Sequence, residues 1–322
     1  MSESIYIDIA GITGNIISVT IDASYSQTST VAVIECDAHS LVLGDSVIID
    51  GGYAGNHVVM FRGYVKKIEY NKPEQTYRIT CYDDLVRAVD YLIAADDPQN
   101  PLAYYSISTL DLVTDLLSLW GITGVSGTEP GFTWGTNPDG ARFNLQTVAD
   151  AVQFISTVVG YSLYVDQAGV IQFVKRYPYV DTGDVPSFSI KDGAGGTIIS
   201  CQYIKGIDKT RNKIVVYGKT PLVANASAAN PYLVVDQTVV IAHELLDTQE
   251  ICDGTATINL QILNRLTESY EVEVEGDPEL WPRRIGEITE SFSGANHRPV
   301  FVYRTSHILS EAGYITTLTL IP

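Results

Sequence analysis

The chain has 322 residues, which is long enough for two or three domains that each bury an apolar core. Apolar residues make up 45% of it, charged residues 18%, and it has 20 tyrosines, a composition typical of an ordered, β-rich protein. The net charge of −18 argues against a protein that grips nucleic-acid phosphates. No run of about 18 apolar residues predicts a membrane span, and the first residues lack the basic and apolar parts of an export signal.

The N-terminal part alternates between apolar and polar residues. This pattern, broken by Gly and Asn, runs from residue 5 to about residue 89 and predicts antiparallel strands in a barrel or sandwich. A turn at Gly44-Asp45 begins one strand, a kink at Gly63 precedes the next, and Thr76–Tyr82 alternates as a third. Asp83-Asp84 follows and can cap a helix. We predict a first β domain over residues 1–89.

In the middle part the apolar period changes to that of a helix. One helix is predicted to begin at Ser108 with a capping-box-like pattern and to end at Gly121, and a second to end at Gly160. The apolar positions are Leu110, Val113, Leu117 and Trp120 in the first helix, and Val148, Val152, Ile155 and Val159 in the second. Residues 161–165 and 170–174 flank a turn with Gly169 and predict a hairpin. We predict a mixed α/β domain over residues 90–192.

The loop between the two predicted helices, residues 127–143, is rich in Gly and Pro and carries Phe132, Trp134 and Phe143. Aromatic side chains in such a loop more often pack beneath it and hold it in place. They also suit the binding of a sugar or of a partner protein.

The last part, residues 193–322, returns to strand patterns. Predicted strands cover residues 198–203, 213–217, 270–274, 285–291, 301–307 and 314–320. Between the second and third strands, Ala256, Leu260, Leu263 and Leu266 support a helix within about residues 248–267, although Gly254 disfavours it. We predict a second β domain with an inserted helix.

Four phrases, in their order and spacing, resemble those of the tail hub, or late-control D-like, proteins of contractile-tailed phages and related injection machines. They are Gly44-Asp45, residues 61–65 (FRGYV), residues 80–85 (TCYDDL) and residues 166–173 (DQAGVIQF). Residues 212–218 and 306–322 are similar to the opening of the family's second barrel and to its final hairpin. One phrase departs from the family, because the second Gly-Asp turn expected after Pro282 is replaced by Arg283-Arg284-Ile285-Gly286.

The resemblance implies a mainly β fold in which two tube-like antiparallel β-barrels are separated by a mixed helical domain. It implies a structural hub at the tip of a virion tail, in the baseplate. There, three copies form a pseudo-hexameric ring that joins the sixfold tail tube to the threefold spike and lets DNA pass. The implied partners are two further copies, the tail tube or distal tail protein ring, the central spike protein and the tape measure protein. The acidic net charge fits a lumen that repels the duplex, or more simply a soluble protein.

The four cysteines, Cys36, Cys81, Cys201 and Cys252, form no close pair in the sequence, and the first three lie in strand-like text. Free, buried thiols are therefore the expectation. They fit assembly in a reducing compartment such as the cytoplasm of a bacterial host.

No catalytic motif is complete. His243-Glu244-Leu245-Leu246-Asp247 has Asp in place of the second zinc-binding His, and Gly218-Lys219-Thr220 lacks the first Gly of a phosphate-binding loop. The adjacent acids Asp83-Asp84 and Asp96-Asp97 suit caps and turns. We therefore predict no enzyme and no catalytic, cofactor-binding or metal-binding residue.

An alternative of a different class stays open. The tyrosines, the Trp134 loop and the excess of acids also fit a β-rich tail protein that binds or cleaves carbohydrate, since distant strands can bring two carboxylates to one glycosidic bond. Exposed aromatics in a groove favour this alternative, whereas self-complementary sheet edges favour the hub.

Overall fold

The computed structural model of the chain describes residues 4–25, 29–94, 101–136, 138–176, 179–180, 183–265 and 267–322. The fold is mainly β, with few helices, as the sequence predicts. Two sets of residues used in the predictions, Asp96-Asp97 and Leu266, lie outside the described residues.

The N-terminal region consists of β1 (Ile5–Ile9), β2 (Ile16–Ser24), β3 (Val31–Cys36), β4 (Ser46–Tyr53), β5 (Asn56–Asn71), β6 (Thr76–Tyr82) and α1 (Val86–Asp90). The predicted turn at Gly44-Asp45 precedes β4, and the predicted third strand is β6. Gly63 was predicted to precede a strand, but it lies inside β5. A Cβ at Gly63 would lie 2.2 Å from the Tyr82 carbonyl oxygen, so only glycine lets β5 pass this close to the end of β6.

The predicted capping of a helix by Asp83-Asp84 is wrong. Helix α1 begins after Leu85 without a side-chain cap. The buried Asp83 carboxylate instead accepts hydrogen bonds from the backbone N–H groups of Thr30 (2.6 Å) and Leu85 (3.0 Å), and so ties the start of β3 to the end of β6. Burial raises the pKa of Asp83 to about 6, although these hydrogen bonds act against the rise.

The middle region consists of β7 (Leu92–Ile93), β8 (Leu102–Tyr104), β9 (Ile107–Ser108), α2 (Thr109–Ser118), β10 (Val125–Gly127), β11 (Thr133–Trp134), β12 (Ala141–Phe143), β13 (Gln146–Thr147), α3 (Val148–Val159), β14 (Tyr161–Val165) and β15 (Ile171–Lys175). Both predicted helices and the predicted β14–β15 hairpin are confirmed. The Ser108 hydroxyl caps α2 by accepting a hydrogen bond from the Asp111 N–H, and Thr147 and Asp150 form a full capping box at α3.

The two helices belong to a repeated unit. In each copy a three-residue strand is followed by a residue with positive φ, then a two-residue strand, then a capped helix: β8, Ser106, β9 and α2 in one copy, and β12, Leu145, β13 and α3 in the other. Strands β8 and β12 pair antiparallel with each other, so the two copies meet at their first strands.

The C-terminal region consists of β16 (Phe188–Lys191), β17 (Ile198–Gly206), β18 (Lys213–Tyr217), β19 (Val223–Ser227), β20 (Thr238–Ala242), α4 (Gln249–Leu263), β21 (Thr267–Glu275), β22 (Ile285–Glu290), β23 (Ala295–Ser310) and β24 (Gly313–Ile321). All six predicted strands are present. The predicted helix is α4, which ends about one turn earlier than expected. Strands β16, β19 and β20 were not predicted.

The two terminal regions share one twelve-stranded sheet. Its order is β1-β4-β5-β6-β3-β2-β23-β24-β21-β17, and β22 and β16 branch from β23. The antiparallel pair of β2 and β23, with Ser18 opposite Ser310 and Ser24 opposite Arg304, joins the regions. Within the described residues, the ladder does not close either region into a complete barrel.

The three largest of the four apolar clusters among the described residues support this arrangement. One lies behind β1–β6 and includes Ile21, Ile34 and Ile79; a second lies behind β16, β17 and β21–β24 and includes Val272 and Leu318. The third and largest fills the middle region. It also takes in residues of β18, β19 and α4, such as Ile214 and Ala256, so residues 213–263 pack with the middle region although they lie beyond residue 192. Trp281, from the loop before β22, is buried in the first cluster and ties the two regions together.

Candidate functional site

The residues of the zinc-protease-like motif do not form a metal centre. The His243 ring stacks on Phe154 with centroids 3.9 Å apart, and its Nδ1 accepts a hydrogen bond from the Leu245 N–H. Burial lowers the pKa of His243. In the part of the chain that the structure describes, no group of three His, Cys, Asp or Glu residues could hold a metal ion.

The residues of the phosphate-loop-like motif form a turn at the end of β18. Gly218 N–H donates to the Leu222 carbonyl oxygen (3.0 Å), and the Lys219 ammonium pairs with the Asp139 carboxylate. The prediction of a strand-end turn is confirmed.

Trp134 is fully buried, and its indole N–H donates to the Thr109 hydroxyl at the start of α2 (3.0 Å). Phe143 is buried in the same cluster, and Phe132 packs against it. The aromatic residues therefore pack beneath the loop and hold it in place, which is the first of the two interpretations given above. Trp134 offers no surface to a sugar.

One wide, solvent-facing feature of the described residues is the side of the sheet that faces away from the apolar clusters, which we call the open face. It is built by the alternation of side chains along β6, β3, β2, β23, β24, β21 and β17. One row across these seven strands is formed by Tyr82, Val31, Asp22, Ser306, Thr317, Glu273 and Ser200. A second row is formed by Thr80, Val33, Thr20, Ile308, Ile315 and Glu275. The open face thus runs without interruption from the N-terminal to the C-terminal region.

Most side chains in these two rows are polar, but four are aliphatic: Val31, Val33, Ile308 and Ile315. The charge of the open face is unevenly distributed. Near its middle, Asp22 pairs with Arg304 (3.5 Å), and further along, Glu35 pairs with Arg78 (3.6 Å). On β21, Glu271, Glu273 and Glu275 all point outward and are exposed, because they alternate with buried residues. No Lys or Arg among the described residues forms a salt bridge with these three glutamates, so this part of the face is strongly negative.

Two strand edges beside the open face carry no strand partner within the described residues. Strand β17 pairs with β21 on one side only. Strand β5 pairs with β4 over residues 56–64 and with β6 over residues 64–71, so the side of residues 66–71 that faces away from β6 is open. Open edges are ready to pair with another chain.

No family model matches the chain, and no curated protein does. Several solved structures are similar along nearly its whole length. A tail protein from Neisseria meningitidis gives a TM-score of 0.74 at 15% identity, covering 98% of this chain and 96% of that one. The 43 kDa tail protein of prophage MuSo2 from Shewanella oneidensis gives a TM-score of 0.64 at 14% identity, covering 99% and 98%.

The chain has the fold of phage tail proteins. A third structure, an E. coli component of the type VI secretion system described as similar to bacteriophage tail proteins, gives a TM-score of 0.57 at 10% identity. It covers 98% of this chain and 76% of that one. The tail-protein fold expected from the resemblance is confirmed. No described helix is both long and apolar enough to cross a membrane.

Sequence reasoning did not locate the open face. Its clearest local signal is residues 270–275, YEVEVE, in which three glutamates alternate with residues that are buried in the fold. The pairing that extends this face across both regions joins β2 to β23, and no local pattern in either strand indicates the other.

Proposed function

We propose that the protein is a non-enzymatic structural hub at the tip of a phage tail or of a related injection machine. Three copies form a pseudo-hexameric ring, which joins a sixfold tail tube to a threefold spike and lets DNA pass. The observation that carries this proposal is the open face: one continuous, mostly polar sheet surface that spans both terminal regions of a tail-protein fold.

Each terminal region supplies one tube-like unit to this ring. Two separate apolar clusters lie behind the two halves of the sheet, which supports one barrel for each half. The proposed units are residues 1–89 and 193–322, with residues 90–192 as the mixed domain between them. Residues 213–263 pack with that middle domain, so the domain is built from two separate stretches of the chain and not from one contiguous stretch.

The open face lines the lumen in this proposal. Serine and threonine side chains contribute much of its surface, and the exposed Glu271, Glu273 and Glu275 repel a polyanion. Like-charge repulsion keeps DNA from binding the wall, so the duplex can slide. This use of the acids is consistent with the absence of specific nucleic-acid binding expected from the net charge.

The ring places the hub between fixed neighbours. The tail tube or distal tail protein ring lies on one side, the central spike protein on the other, and the tape measure protein reaches the lumen. Virion tails are assembled in the host cytoplasm, where the four free cysteines stay reduced. The carbohydrate-binding alternative loses its main support because Trp134 is buried.

The mass of the purified protein tests the hub. Light scattering across a concentration series, alone and with a candidate spike protein, is expected to show a species of three times the 35.2 kDa chain mass. Electron microscopy of that species should show a ring with threefold symmetry and a central hole.

A persistent monomer that hydrolyses cell-wall glycans would contradict the proposal and favour the alternative. Assay of the same sample on peptidoglycan serves as the control, and the hub is expected to be inactive.

A further inference from the structure

A cleft lies where the segment after β15 meets the end of α4, the start of β21 and the end of β24. Its volume is about 580 Å³, within the range of sites that hold small ligands. The rings of Tyr179 and Tyr303 line it and meet edge to face, with centroids 6.1 Å apart. The described aliphatic residues in its lining are Val180, Ile262, Leu263 and Ile321. The cleft can therefore accept a small organic molecule or a side chain of another protein.

The charge of this cleft is opposite to that of the whole chain. Its described lining carries three cationic side chains, Arg176, Lys209 and Arg265, and one acidic side chain, Glu268. The Glu268 carboxylate is already engaged, because it pairs with two cations that do not line the cleft. Neither Arg176 nor Lys209 forms a salt bridge with a described residue. In a chain with 38 acidic and 20 basic residues, such a group of cations marks a place that attracts anions.

The Arg265 side chain is held against the wall of the cleft. Its guanidinium carbon lies 4.4 Å from the centre of the Tyr179 ring, and its Nε donates to the Ile262 carbonyl oxygen (2.9 Å). Tyr179 itself is buried, so the surface on which the guanidinium lies is fixed by the fold. A guanidinium ordered in this way loses little side-chain entropy when it binds an oxyanion.

Arg176 supplies a buried hydrogen-bond donor. Its backbone N–H donates to the Gly160 carbonyl oxygen (2.9 Å), which fixes the residue at the end of the β14–β15 hairpin. Its side-chain Nε is buried and has no hydrogen-bond partner among the described residues. Buried donors are nearly always paired. Because Arg176 lines the cleft, an oxyanion bound there offers an acceptor to this guanidinium.

We propose that this cleft, which we call the basic cleft, binds an oxyanion through Arg176, Arg265 and Lys209. Guanidinium groups bind carboxylate and phosphate with paired N–H donors, and the exposed lysine adds a point charge. The aliphatic lining suits the carbon part of the molecule that carries the anionic group. That molecule is either a small organic anion or an acidic side chain of another tail protein. The site does not depend on the proposed ring and goes beyond it.

Isothermal titration calorimetry with three probes tests the basic cleft. The probes are citrate, pyrophosphate and a short peptide with two adjacent glutamates and blocked ends. We expect binding with one site per chain that weakens as salt is added. Binding of the peptide alone would support an acidic side chain as the source of the oxyanion, and binding of citrate or pyrophosphate would support a small molecule. No binding of any probe at concentrations up to about 10 mM would overturn the inference.

Three variants locate the binding. Arg176→Gln and Lys209→Gln each remove one cation of the basic cleft. The matched control is Lys72→Gln, which removes an exposed lysine from the turn between β5 and β6, outside the cleft. We expect Arg176→Gln to raise the dissociation constant at least about tenfold and Lys209→Gln to raise it about threefold. Lys72→Gln is expected to leave it unchanged.

Urea unfolding and light scattering complete the test. Equal unfolding midpoints show that the variants fold, and the exposed Lys209 decides alone if Arg176→Gln does not. Unchanged binding in the folded cleft variants, or an equal loss in Lys72→Gln, would overturn the inference. The mass of each variant is measured in parallel. Oxyanion binding by a protein that stays monomeric would contradict the ring and leave the basic cleft standing, and a ring without oxyanion binding would do the reverse.

Discussion

Trp134 shows how burial decides between two uses of an aromatic side chain. The indole ring fills the largest apolar cluster and donates a hydrogen bond to Thr109, so its role is to hold the loop against α2. We expect Trp134→Ala to lower the free energy of unfolding by about 3–5 kcal/mol, the usual range for a buried aromatic side chain. Urea unfolding followed by circular dichroism measures this loss.

The matched control is Trp120→Ala in the same region. Trp120 is 46% exposed and contacts the Tyr91 ring (centroids 5.3 Å apart), so its removal is expected to cost only about 1 kcal/mol. Equal losses for the two variants would contradict the structural role assigned to Trp134.

His307 gives the fold a dependence on pH. It is fully buried on β23, with Nδ1 2.9 Å from the Tyr314 hydroxyl and 3.1 Å from the Thr316 hydroxyl. Burial lowers its pKa from 6.5 to about 3. Between these values the unfolded chain binds a proton that the folded chain does not. The contribution of His307 to stability is therefore complete above about pH 6.5 and is lost progressively as the pH falls towards 3.

Urea unfolding at pH 7, 5.5 and 4 tests this dependence. The free energy of unfolding of the wild type is expected to fall more steeply over this series than that of His307→Gln, which cannot take up the proton. Parallel slopes for the two proteins would show that His307 is not the group responsible.

At the scale of elements, Gly160 serves both the end of α3 and its packing on α4. It has φ of 67°, and a Cβ there would lie 2.3 Å from the Ile258 Cγ2 atom. Gly121, near the end of α2, has a similar φ of 73° but no atom within 4 Å of such a Cβ. A side chain at Gly121 would therefore introduce conformational strain alone, whereas one at Gly160 would introduce both strain and steric overlap.

We expect Gly121→Ala to cost about 1–2 kcal/mol, the strain of a left-handed alanine. Gly160→Ala should cost about 1–3 kcal/mol more, because the methyl group also overpacks the contact with α4. Thermal or urea unfolding of both variants gives the difference directly. If the two losses are equal, α3 and α4 do not pack as closely as described.

Local signals predicted most elements but not all of them. Helices α2 and α3 carry their own caps and apolar periods, and the long strands alternate clearly, so these elements were found from sequence. Strands β16, β19 and β20 are short; β16 lies on a branch of the main sheet, and β19 and β20 belong to a small three-stranded sheet. Because much of their surface is exposed, the alternation of apolar and polar residues in their sequence is weak. The repeated unit of β8 to α2 and β12 to α3 was missed because Ser106 and Leu145 share a backbone conformation and not a residue type.

At the scale of the whole molecule, the sequence predicts two β regions but does not predict that they share one sheet. The division into terminal and middle parts follows from changes of apolar period. The pairing of β2 with β23 depends on residues far apart in the chain, such as Asp22 and Arg304, which are 282 positions apart. Short-range sequence patterns do not indicate a pairing between residues so far apart in the chain. For the same reason, the packing of residues 213–263 with the middle region could not be inferred from their order.

The pairing of β2 with β23 also sets the timing of folding. Strand β2 is synthesised about 280 residues before its partner β23, and this interval takes roughly 15 to 60 seconds at bacterial rates of synthesis. Until β23 is made, the edge of β2 that pairs with it stays open, and the sheet shared by the two regions cannot be completed. A chain cut short before β23 therefore lacks the seam between its two halves.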